Sequence, residues 1–383
     1  MKPLSGLKVL ELARILAGPW CGQLMADLGA EVIKIERPGA GDDTRTWGPP
    51  FITDKNGNSW GAAYFHATNR GKSSVAIDLE TSEGKAAIRT LASEADVLIE
   101  NFKVDGLKKY GLDYDTLSAL NPRLIYASIT GFGQTGPYAH RAGYDYILQG
   151  MSGLMDITGE PDREPQKVGV AVVDVFTGVY TSTAILAALH GRTASGKGCH
   201  IDMSLFDVAT SVLANQAENY LASGISPRRA GNAHPNIVPY QVFAVKDGHV
   251  IVAVGNDHQF RRFCAALEAD YISENPDYAT NAQRVAQREK LIAELEPFLR
   301  LYDRAELLLK LLKVGVPAGP INRIEDVFND PQIIHRGLKL DLTAADGSPV
   351  SGVASPIVIN GERMYADTPS PMLGEGQAQW MSK

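Results

Sequence analysis

The chain has 383 residues, of which 44% are hydrophobic and 21% charged, enough to bury the core of one large domain or of two smaller ones. Its formal net charge of -7 argues against nucleic acid as a partner, because an acidic surface does not attract a polyanion. Three widely spaced cysteines argue against a disulfide framework, and the sequence lacks an apolar signal core, so we expect a cytoplasmic protein with no membrane partner.

The first half of the sequence alternates short apolar runs with helical patterns. Strands are predicted at residues 7–12, 31–36, 74–79, 96–100, 124–129 and 200–203. Helices are predicted at residues 19–28, 81–95, 176–189 and 204–221. This alternation predicts an α/β fold with a parallel, doubly wound sheet.

The pattern changes after residue 222. Residues 223–239 are rich in Gly, Ser, Pro, Arg and Asn, a composition typical of a linker. Two apolar runs, 240–245 and 249–254, flank Asp247 and Gly248 and predict a β-hairpin, and helices are predicted across 258–313. We therefore predict a large α/β domain over residues 1–222 and a smaller α+β domain that begins near residue 225.

A glycine-rich segment follows the predicted strand at 124–129. Residues 131–136 (GFGQTG) match the GxGxxG pattern, which binds dinucleotides when it opens directly into a helix. Here the poor helix-forming segment 137–143 (PYAHRAG) follows, and the strand is a late one in the series. The pattern favours a turn at a strand end over an NAD site, although a loop in this place can still line a ligand crevice.

Asp174 is the charged residue of an otherwise apolar run, 168–176 (VGVAVVDVF). A charge in such a run is costly to bury unless it is paired or used. Two interpretations stay open: Asp174 caps a helix that starts at Val175, or its carboxylate is a nucleophile toward activated acyl groups. The two are compatible, because a residue at a helix N-terminus is held in place and aimed outward.

Several other segments carry polar groups near predicted strand ends. Residues 14–18 (RILAG) join the first strand to the first helix, where α/β folds place ligand contacts. Arg37, Arg45 and the turn 69–72 (NRGK) suit phosphate, with a solvated loop charge as the plain alternative. The loop 255–259 (GNDHQ) is either a mobile cover or a strand-to-helix connection. The histidines lack the spacing of zinc ligands, so no metal site is predicted.

Long stretches of the sequence resemble one enzyme family. They are residues 3–45, 69–79, 95–102, 121–137, 142–155 and 169–198. Together they resemble the family III CoA-transferases. The resemblance implies a large Rossmann-like parallel-sheet domain over 1–222, completed by 325–383, with a small α+β domain over 225–324 and an interlocked homodimer. Residues 41–51, 128–131 and 237–241 resemble members that use dicarboxylates, with succinyl-CoA and glutarate or acetyl-CoA and oxalate as substrates.

The resemblance also implies a mechanism and a set of site residues. Asp174 would be the nucleophile, forming a mixed anhydride and then an aspartyl thioester with coenzyme A. The coenzyme enters as an acyl-CoA, and the resemblance implies succinyl-CoA as this donor. Main-chain N–H groups near Leu16 and Ala17 would stabilise the oxyanion. The small carboxylic acid would contact Arg14 and Arg45, beneath a lid containing Gly255, Asn256 and Gln259. The implied CoA contacts are Ile15, Ala17, Arg37, Lys72, Asn101, Phe102, Lys109, Ala142, Tyr144 and Asp145.

Two alternative functions stay open. The family also contains 2-methylacyl-CoA racemases, whose catalytic histidine lies in a Gly-His-Asp segment. This sequence has Gly143, Tyr144 and Asp145 there, and a tyrosine is a poor base at neutral pH, which argues against a racemase. The other alternative is a non-catalytic CoA-binding module in which Asp174 is only a helix cap.

Overall fold

The computed structural model describes residues 2–344 and 346–381, which form two compact units. The first comprises Met1–Leu154, Lys167–Gly224 and Pro331–Lys383, and the second comprises Met155–Gln166 and Ile225–Asp330. The sequence prediction placed 155–166 in the large domain, whereas the structure groups this segment with the second unit. Arg229 explains the difference, because its Nη1 atom donates to the main-chain oxygen of Asp156 over 2.9 Å. Such a contact between distant segments leaves no local pattern.

The first part of the first unit alternates strands and helices. Its strands are β1 (Lys8–Glu11), β2 (Glu31–Glu36), β3 (Phe51–Thr53), β4 (Ser59–Ala62), β5 (Lys72–Ala76), β6 (Val97–Glu100), β7 (Ile125–Thr130) and β8 (His200–Ser204). Its helices are α1 (Ala17–Asp27), α2 (Ala63–His66), α3 (Ser82–Glu94), α4 (Tyr114–Leu120), α5 (Asp145–Met151), α6 (Val172–Ser195), α7 (Leu205–Ser211) and α8 (Ala214–Ser223). Short 3-10 helices lie at Asp43–Thr46 and Lys108–Tyr110.

A six-stranded sheet forms the centre of the first unit, with the order β5-β2-β1-β6-β7-β8. All neighbouring strands in this sheet are parallel, which confirms the predicted parallel α/β fold. The chain adds strands outward from β1 to β5 on one side and from β6 to β8 on the other. The order therefore reverses between β1 and β6, and such a reversal leaves a crevice at the carboxyl ends of the strands.

Both faces of this sheet are buried. Val9 and Ile99 point to a core shared with α1 and α6, whereas Leu10 and Leu98 point to a core shared with α3 and α4. Strands buried on both faces read as continuous apolar runs rather than as alternating patterns. This is why short runs such as β2 and β7 were recognisable in the sequence.

Some predicted elements differ from those observed. The predicted helix at 204–221 is divided into α7 and α8, and Ala214 at the division has a positive φ of 47°. The predicted strand at 74–79 lies at Lys72–Ala76, because its pairing with β2 starts at Lys72 opposite Val32. The short antiparallel pair β3 and β4 was not predicted.

Helix α6 is longer than predicted and begins at Val172. Its length and mean hydropathy of 1.6 would also suit a membrane-crossing helix. The core helix of a soluble protein meets the same criteria; in the single chain 33% of the most apolar stretch of α6 is buried, and Val173 and Ile185 are fully buried. The expected absence of a membrane partner stays a prediction.

The second unit contains an antiparallel sheet and a group of helices. Its strands are β9 (Tyr240–Val245), β10 (Gly248–Ala253) and β11 (Ala318–Pro320), in the order β11-β10-β9. The predicted hairpin is confirmed, with Val245 opposite Gly248. The helices are α9 (Asp257–Ala266), α10 (Asp270–Glu274), α11 (Asn281–Ala286), α12 (Arg288–Leu299), α13 (Arg304–Lys313) and α14 (Ile324–Phe328), with a 3-10 helix at Pro276–Tyr278.

The chain returns to the first unit at Pro331, where the prediction had it return near residue 325. The returning segment contains α15 (Pro331–His335), β12 (Lys339–Thr343), β13 (Pro349–Val353), β14 (Val358–Ile359), β15 (Glu362–Arg363) and α16 (Gln377–Met381). Ala366 and Trp380 are buried in the two cores of the first unit. The C-terminal segment is therefore part of the sheet domain rather than an appendage.

Candidate active site

A cleft of about 420 Å³ lies at the carboxyl edge of the six-stranded sheet. Its walls come from the segments after β1, β6 and β7 and from the first turn of α6. This is the crevice expected where the strand order reverses. The predicted site residues that line it are Arg14, Ile15, Leu16, Ala17, Asn101, Phe102, Lys109, Ala142, Tyr144 and Asp174.

The first turn of α6 holds Asp174 at this cleft. The helix starts at Val172, so the interpretation of Asp174 as the cap of a helix starting at Val175 is wrong. Asp145 has the capping role instead, because its Oδ2 atom accepts the N–H groups of Val173 at 2.8 Å and Asp174 at 3.2 Å. The carboxylate of Asp174 is therefore not used as a cap.

The carboxylate of Asp145 is fixed on its other side as well. Its Oδ1 atom accepts Nε2–H of Gln149 at 2.6 Å, and Oε1 of Gln149 accepts the N–H of Val168 at 2.9 Å. Both oxygens of Asp145 thus hold the segment that leads into α6. The side chain of Asp145 thus positions Asp174 and is not part of the cleft lining described above, and its contact with CoA stays a prediction.

Burial raises the pKa of the Asp174 carboxyl to about 7, and the negative charge of Asp145 adds to the shift. Tyr64 lies near enough that the charge of Asp174 also contributes to a raised pKa of its phenol, after the larger effect of burial. A carboxylate that is poorly solvated is a better nucleophile than one in water. The environment of Asp174 is of the kind found at catalytic sites.

The N-terminus of α1 lies next to the start of α6. A Cβ atom on Gly178 would lie 2.7 Å from the main-chain oxygen of Ala17 and 2.9 Å from Cδ1 of Trp20, so only glycine allows the two helices to approach this closely. Leu16, the residue before α1, provides no side-chain cap to the first N–H groups. Leu16, Ala17 and Asp174 line the same cleft, with the positive end of the α1 dipole on its wall.

The GxGxxG segment has a structural role that differs from that of a dinucleotide-binding motif. No helix follows it directly, and residues 131–144 form turns and bends, as the sequence predicted. A Cβ atom on Gly131 would lie 2.6 Å from Cα of Gly143, so the two glycines let the main chain cross itself closely. This crossing brings Ala142 and Tyr144 to the end of β7 and to the cleft.

Comparison with known proteins decides the family. A sequence model described as CoA-transferase family III matches residues 4–377. The chain belongs to this family. It is 56% identical to the succinate--glutarate CoA-transferase of Agrobacterium fabrum, over 100% of this chain and 95% of that protein, and 40% identical to the succinyl-CoA:glutarate CoA-transferase of Mus musculus, over 98% and 85%. A crystal structure of a CAIB/BAIF family protein from Brucella suis matches with a TM-score of 0.88 and 57% identity, over 100% of this chain and 99% of that one.

This CoA-transferase uses an acyl-CoA as co-substrate, and the charges of its cleft fit an anionic ligand. The cationic residues of the lining are Arg14, Lys103, Lys109 and Arg141, whereas Asp174 is its acidic residue among the described positions. Sequence analysis missed Lys103 and Arg141. Both follow strand ends at the carboxyl edge of the sheet, a position that could have identified them.

Two cations predicted to contact ligands have partners within the protein, and their ligand contacts stay predictions. The side chain of Lys72 is fully buried, and its ammonium group donates to Oε1 of Glu11 at 3.0 Å and to the main-chain oxygen of Pro19 at 2.8 Å. The guanidinium of Arg45 forms two hydrogen bonds with Glu36 and lies 3.7 Å from the ring centroid of Phe65. Neither cation lines the large cleft. Lys72 was expected at CoA from the family resemblance and Arg45 at the carboxylic acid, and neither expectation shows that buried carboxylates already pair with these cations.

Arg37 and Asn101 have distinct places. Arg37 is exposed and lines a smaller cavity of about 170 Å³, which shares Arg14, Phe102 and Tyr110 with the large cleft. Asn101 lines the large cleft and also fixes the main chain of Arg14, because its Oδ1 accepts the N–H of Arg14 at 2.9 Å and its Nδ2 donates to the oxygen at 2.7 Å. Their contacts with CoA stay predictions.

The loop predicted as a lid lies in the second unit. Asn256 caps α9 by accepting the N–H of Gln259 at 2.8 Å, and Oε1 of Gln259 accepts the N–H of Gly255 at 2.8 Å. This reciprocal arrangement makes the segment an ordered strand-to-helix connection. The lid function of Gly255, Asn256 and Gln259 stays a prediction. Among the described residues, no group of three or more His, Cys, Asp or Glu side chains is arranged to hold a metal ion.

Proposed function

We propose that this enzyme transfers CoA from succinyl-CoA to glutarate or a similar dicarboxylate through covalent intermediates on Asp174. The observation that carries the proposal is the place of Asp174, in the cleft of a CoA-transferase and beside the N-terminus of α1. Its raised pKa supports a role for a poorly solvated carboxylate. The names of the relatives from A. fabrum and M. musculus support this choice of acids.

The first half of the reaction loads CoA onto Asp174. A carboxylate oxygen of Asp174 attacks the thioester carbonyl of succinyl-CoA, the C–S bond breaks, and a mixed anhydride and CoA thiolate result. The thiolate then attacks the aspartyl carbonyl of the anhydride. Succinate leaves, and Asp174 carries a thioester with CoA.

The second half transfers CoA to the acceptor. A carboxylate of glutarate attacks the aspartyl thioester, forming a second mixed anhydride and releasing CoA thiolate. The thiolate attacks the glutaryl carbonyl, which yields glutaryl-CoA and restores the Asp174 carboxylate. Every step passes through an oxyanion, and the uncapped N–H groups at the start of α1 are the proposed donors.

The role of Asp174 can be tested with a matched pair of variants. Incubation with succinyl-CoA and glutarate should yield glutaryl-CoA, detected by mass, and Asp174→Ala should lower kcat by about 10⁴-fold or more, since a lost nucleophile cannot be replaced. Hydroxylamine should trap an adduct at Asp174 in the native enzyme. Asp207→Asn removes an exposed acid from the first turn of α7 and should leave transfer unchanged.

Other outcomes of this assay would contradict the proposal. Full transfer by Asp174→Ala would show that another residue carries the acyl group. Racemisation of a 2-methylacyl-CoA without transfer would identify a racemase, and CoA binding with neither reaction would identify a binding module. Oxalate, itaconate, mesaconate and carnitine, tested as acceptors beside glutarate, would show which acid the enzyme prefers.

We also propose that the enzyme is a cytoplasmic homodimer. Helix α6 exposes large apolar side chains, with Phe176, Val179 and Tyr180 each more than 40% exposed in the single chain. Such a group on one helix is typical of a surface that a second protein covers. Light scattering of the purified protein would test the homodimer, and the interlocked form stays a prediction. The free cysteines Cys21, Cys199 and Cys264 support a reducing compartment.

A further inference from the structure

Ile15 has a conformation that its side chain disfavours. It lies between β1 and α1, lines the large cleft, and has a positive φ of 72°. The left-handed region is unfavourable for a β-branched residue, and such strain persists only where the surroundings enforce it. The residues that follow, Leu16 and Ala17, start α1 and face the same cleft as Asp174.

Two side chains hold this strained turn. The carboxylate of Asp42 accepts the N–H of Ile15, at 3.2 Å from Oδ2 and 3.3 Å from Oδ1. Asn101 holds the preceding residue, Arg14, through both its main-chain N–H and its oxygen. Asn101 belongs to the lining of the large cleft, whereas Asp42, with 1% of its surface exposed, lines the smaller cavity that also contains Arg37.

Asp42 is in turn held by a buried network of charges. The ammonium group of Lys34 pairs with Oδ2 of Asp42 at 2.9 Å, and it donates to Oε1 of Glu11 at 3.0 Å and to the main-chain oxygen of Ala13 at 2.8 Å. All three donors of Lys34 are thereby used. Glu11 also pairs with Lys72, which binds the first turn of α1 at the oxygen of Pro19. The network therefore contacts the β1–α1 segment at three residues, Ala13, Ile15 and Pro19.

Stability alone does not account for this network. The side chains of Glu11, Lys34, Asp42 and Lys72 are 0% exposed, and the desolvation of buried ion pairs commonly cancels their attraction. The fold makes room for them, because a Cβ atom on Gly22 would lie 1.8 Å from Oε2 of Glu11. A buried ionic network can hold its members in one geometry, and here Oε2 of Glu11 lies 2.8 Å from the ammonium group of Lys72 without an aligned hydrogen bond. Here the geometry imposed is that of the turn next to Asp174.

We propose that Asp42, held by Lys34 and Glu11, is a positioning residue for CoA transfer. It keeps Ile15 in the left-handed conformation, so that the main-chain N–H groups at Leu16 and Ala17 are directed at the oxyanions formed on Asp174. Asp42 does not touch the substrate in this role. The inference rests on the proposed function of Asp174.

The first test compares two substitutions of Asp42. Asp42→Ala removes the acceptor for Ile15 and should lower kcat about 100-fold, the usual effect of losing an oxyanion donor, with the KM for succinyl-CoA changed by less than about threefold. Asp42→Asn keeps an oxygen for Ile15 but loses the charge opposite Lys34, so its kcat should fall about tenfold. A raised KM with native kcat would overturn the proposal.

A control separates positioning from general stability. Asp27 is another buried acid, which binds Arg70 at 2.7 Å and lies at the opposite end of α1 from the cleft. Asp27→Asn should lower the Tm without changing kcat per folded molecule. Should Asp42→Ala fail to fold, Asp42→Asn decides the question: a lowered kcat with native KM supports the proposal, and native kcat overturns it.

The second test is a rescue. Glycine adopts a positive φ without strain. The double variant with Asp42→Ala and Ile15→Gly should therefore have a kcat at least about tenfold higher than Asp42→Ala alone. A merely structural role of Asp42 predicts no rescue, and its absence would overturn the proposal. Hydroxylamine trapping in the native enzyme separates the proposed function of Asp174 from the positioning role of Asp42. Transfer without an Asp174 adduct would contradict the proposed function, whereas an adduct together with fully active Asp42 variants would contradict only the positioning role.

Discussion

At the scale of single residues, the carboxylates of Asp145 and Asp174 have different roles. Both oxygens of Asp145 accept hydrogen bonds around the start of α6, which holds the helix. Asp174, in the first turn of that helix, has no capping role and has a pKa raised to about 7 by burial and by Asp145. One acid thus shapes the site, and the other is available for chemistry.

This pKa predicts the pH dependence of transfer. Because the nucleophile is the ionised form of Asp174, kcat/KM should rise as the pH passes through about 7 and reach a plateau above it. The measurement is a pH profile of glutaryl-CoA formation from limiting succinyl-CoA. A profile that is flat between about pH 5.5 and pH 8.5, across the range where a shifted carboxyl titrates, would contradict a raised pKa for the nucleophile.

The same pKa predicts that stability falls as the pH rises, whereas kcat/KM rises. The folded pKa of about 7 lies above the ordinary value of 3.8, so the folded protein binds the proton more tightly and loses stability as the pH rises across that window. Asp174→Asn cannot ionise, so it should have a higher Tm than the native protein at pH 8 and a similar Tm near pH 4. Asp207→Asn, which removes an exposed acid from α7, is the control for the loss of one carboxyl.

At the scale of secondary structure, the approach of α1 to α6 creates the site. Each helix brings its N-terminus to the cleft, α6 with Asp174 and α1 with Ala17. Gly178 sets the distance, because any larger residue would contact the main chain of Ala17. The pairing of these helices is therefore as important for the chemistry as the acid itself.

Two glycines of α6 test this pairing. Gly178→Ala places a Cβ atom 2.7 Å from the oxygen of Ala17, so it should destabilise the fold by about 1–3 kcal/mol and lower kcat as the helix termini move apart. Gly191→Ala is the matched control, because its Cβ atom would meet nothing within 4 Å. It should raise stability by about 0.5–1 kcal/mol through helix propensity and leave kcat unchanged. Urea unfolding and steady-state kinetics would measure both, and equal effects of the two substitutions would contradict the argument.

At the scale of the whole molecule, the net charge and the charge of the cleft have opposite signs. The chain carries -7 overall, yet among the described residues the cleft is lined by the cations Arg14, Lys103, Lys109 and Arg141 and by one acid, Asp174. Local cations can attract an anionic ligand even on an acidic protein, because interactions beyond about 10 Å are screened at 0.1 M salt. Binding of an acyl-CoA should therefore depend on ionic strength.

Salt titration tests this charge arrangement. The KM for succinyl-CoA should rise about threefold or more between about 0.05 M and 0.5 M sodium chloride, because added ions screen the cleft. Arg141→Gln should raise the KM at low salt and make the salt dependence weaker. Lys290→Gln removes a half-exposed cation from the second unit and should leave both unchanged. Identical salt dependence in the native enzyme and Arg141→Gln would show that Arg141 does not act on the ligand.

Local sequence predicted the central sheet well but the side-chain partners poorly. The runs at β1, β2, β6 and β7 were recognisable because both faces of the sheet are buried. Lys72 was assigned to CoA by the family resemblance, and Arg45 was assigned to the carboxylic acid. The structure pairs them with Glu11 and Glu36, which come from other strands, and no local pattern reports such a pairing.

The amino-acid sequence by itself determined the family, the alternation of strands and helices in the central parallel sheet, and Asp174 as the candidate nucleophile, because these depend on motifs and on buried apolar runs. Only the tertiary structure decided that Asp145 rather than Asp174 caps α6 and that a buried network holds Ile15. Those contacts join residues far apart in the chain, and their formation depends on how the elements pack. Packing is a property of the whole fold, so the final geometry of the site could not be obtained from its segments one at a time.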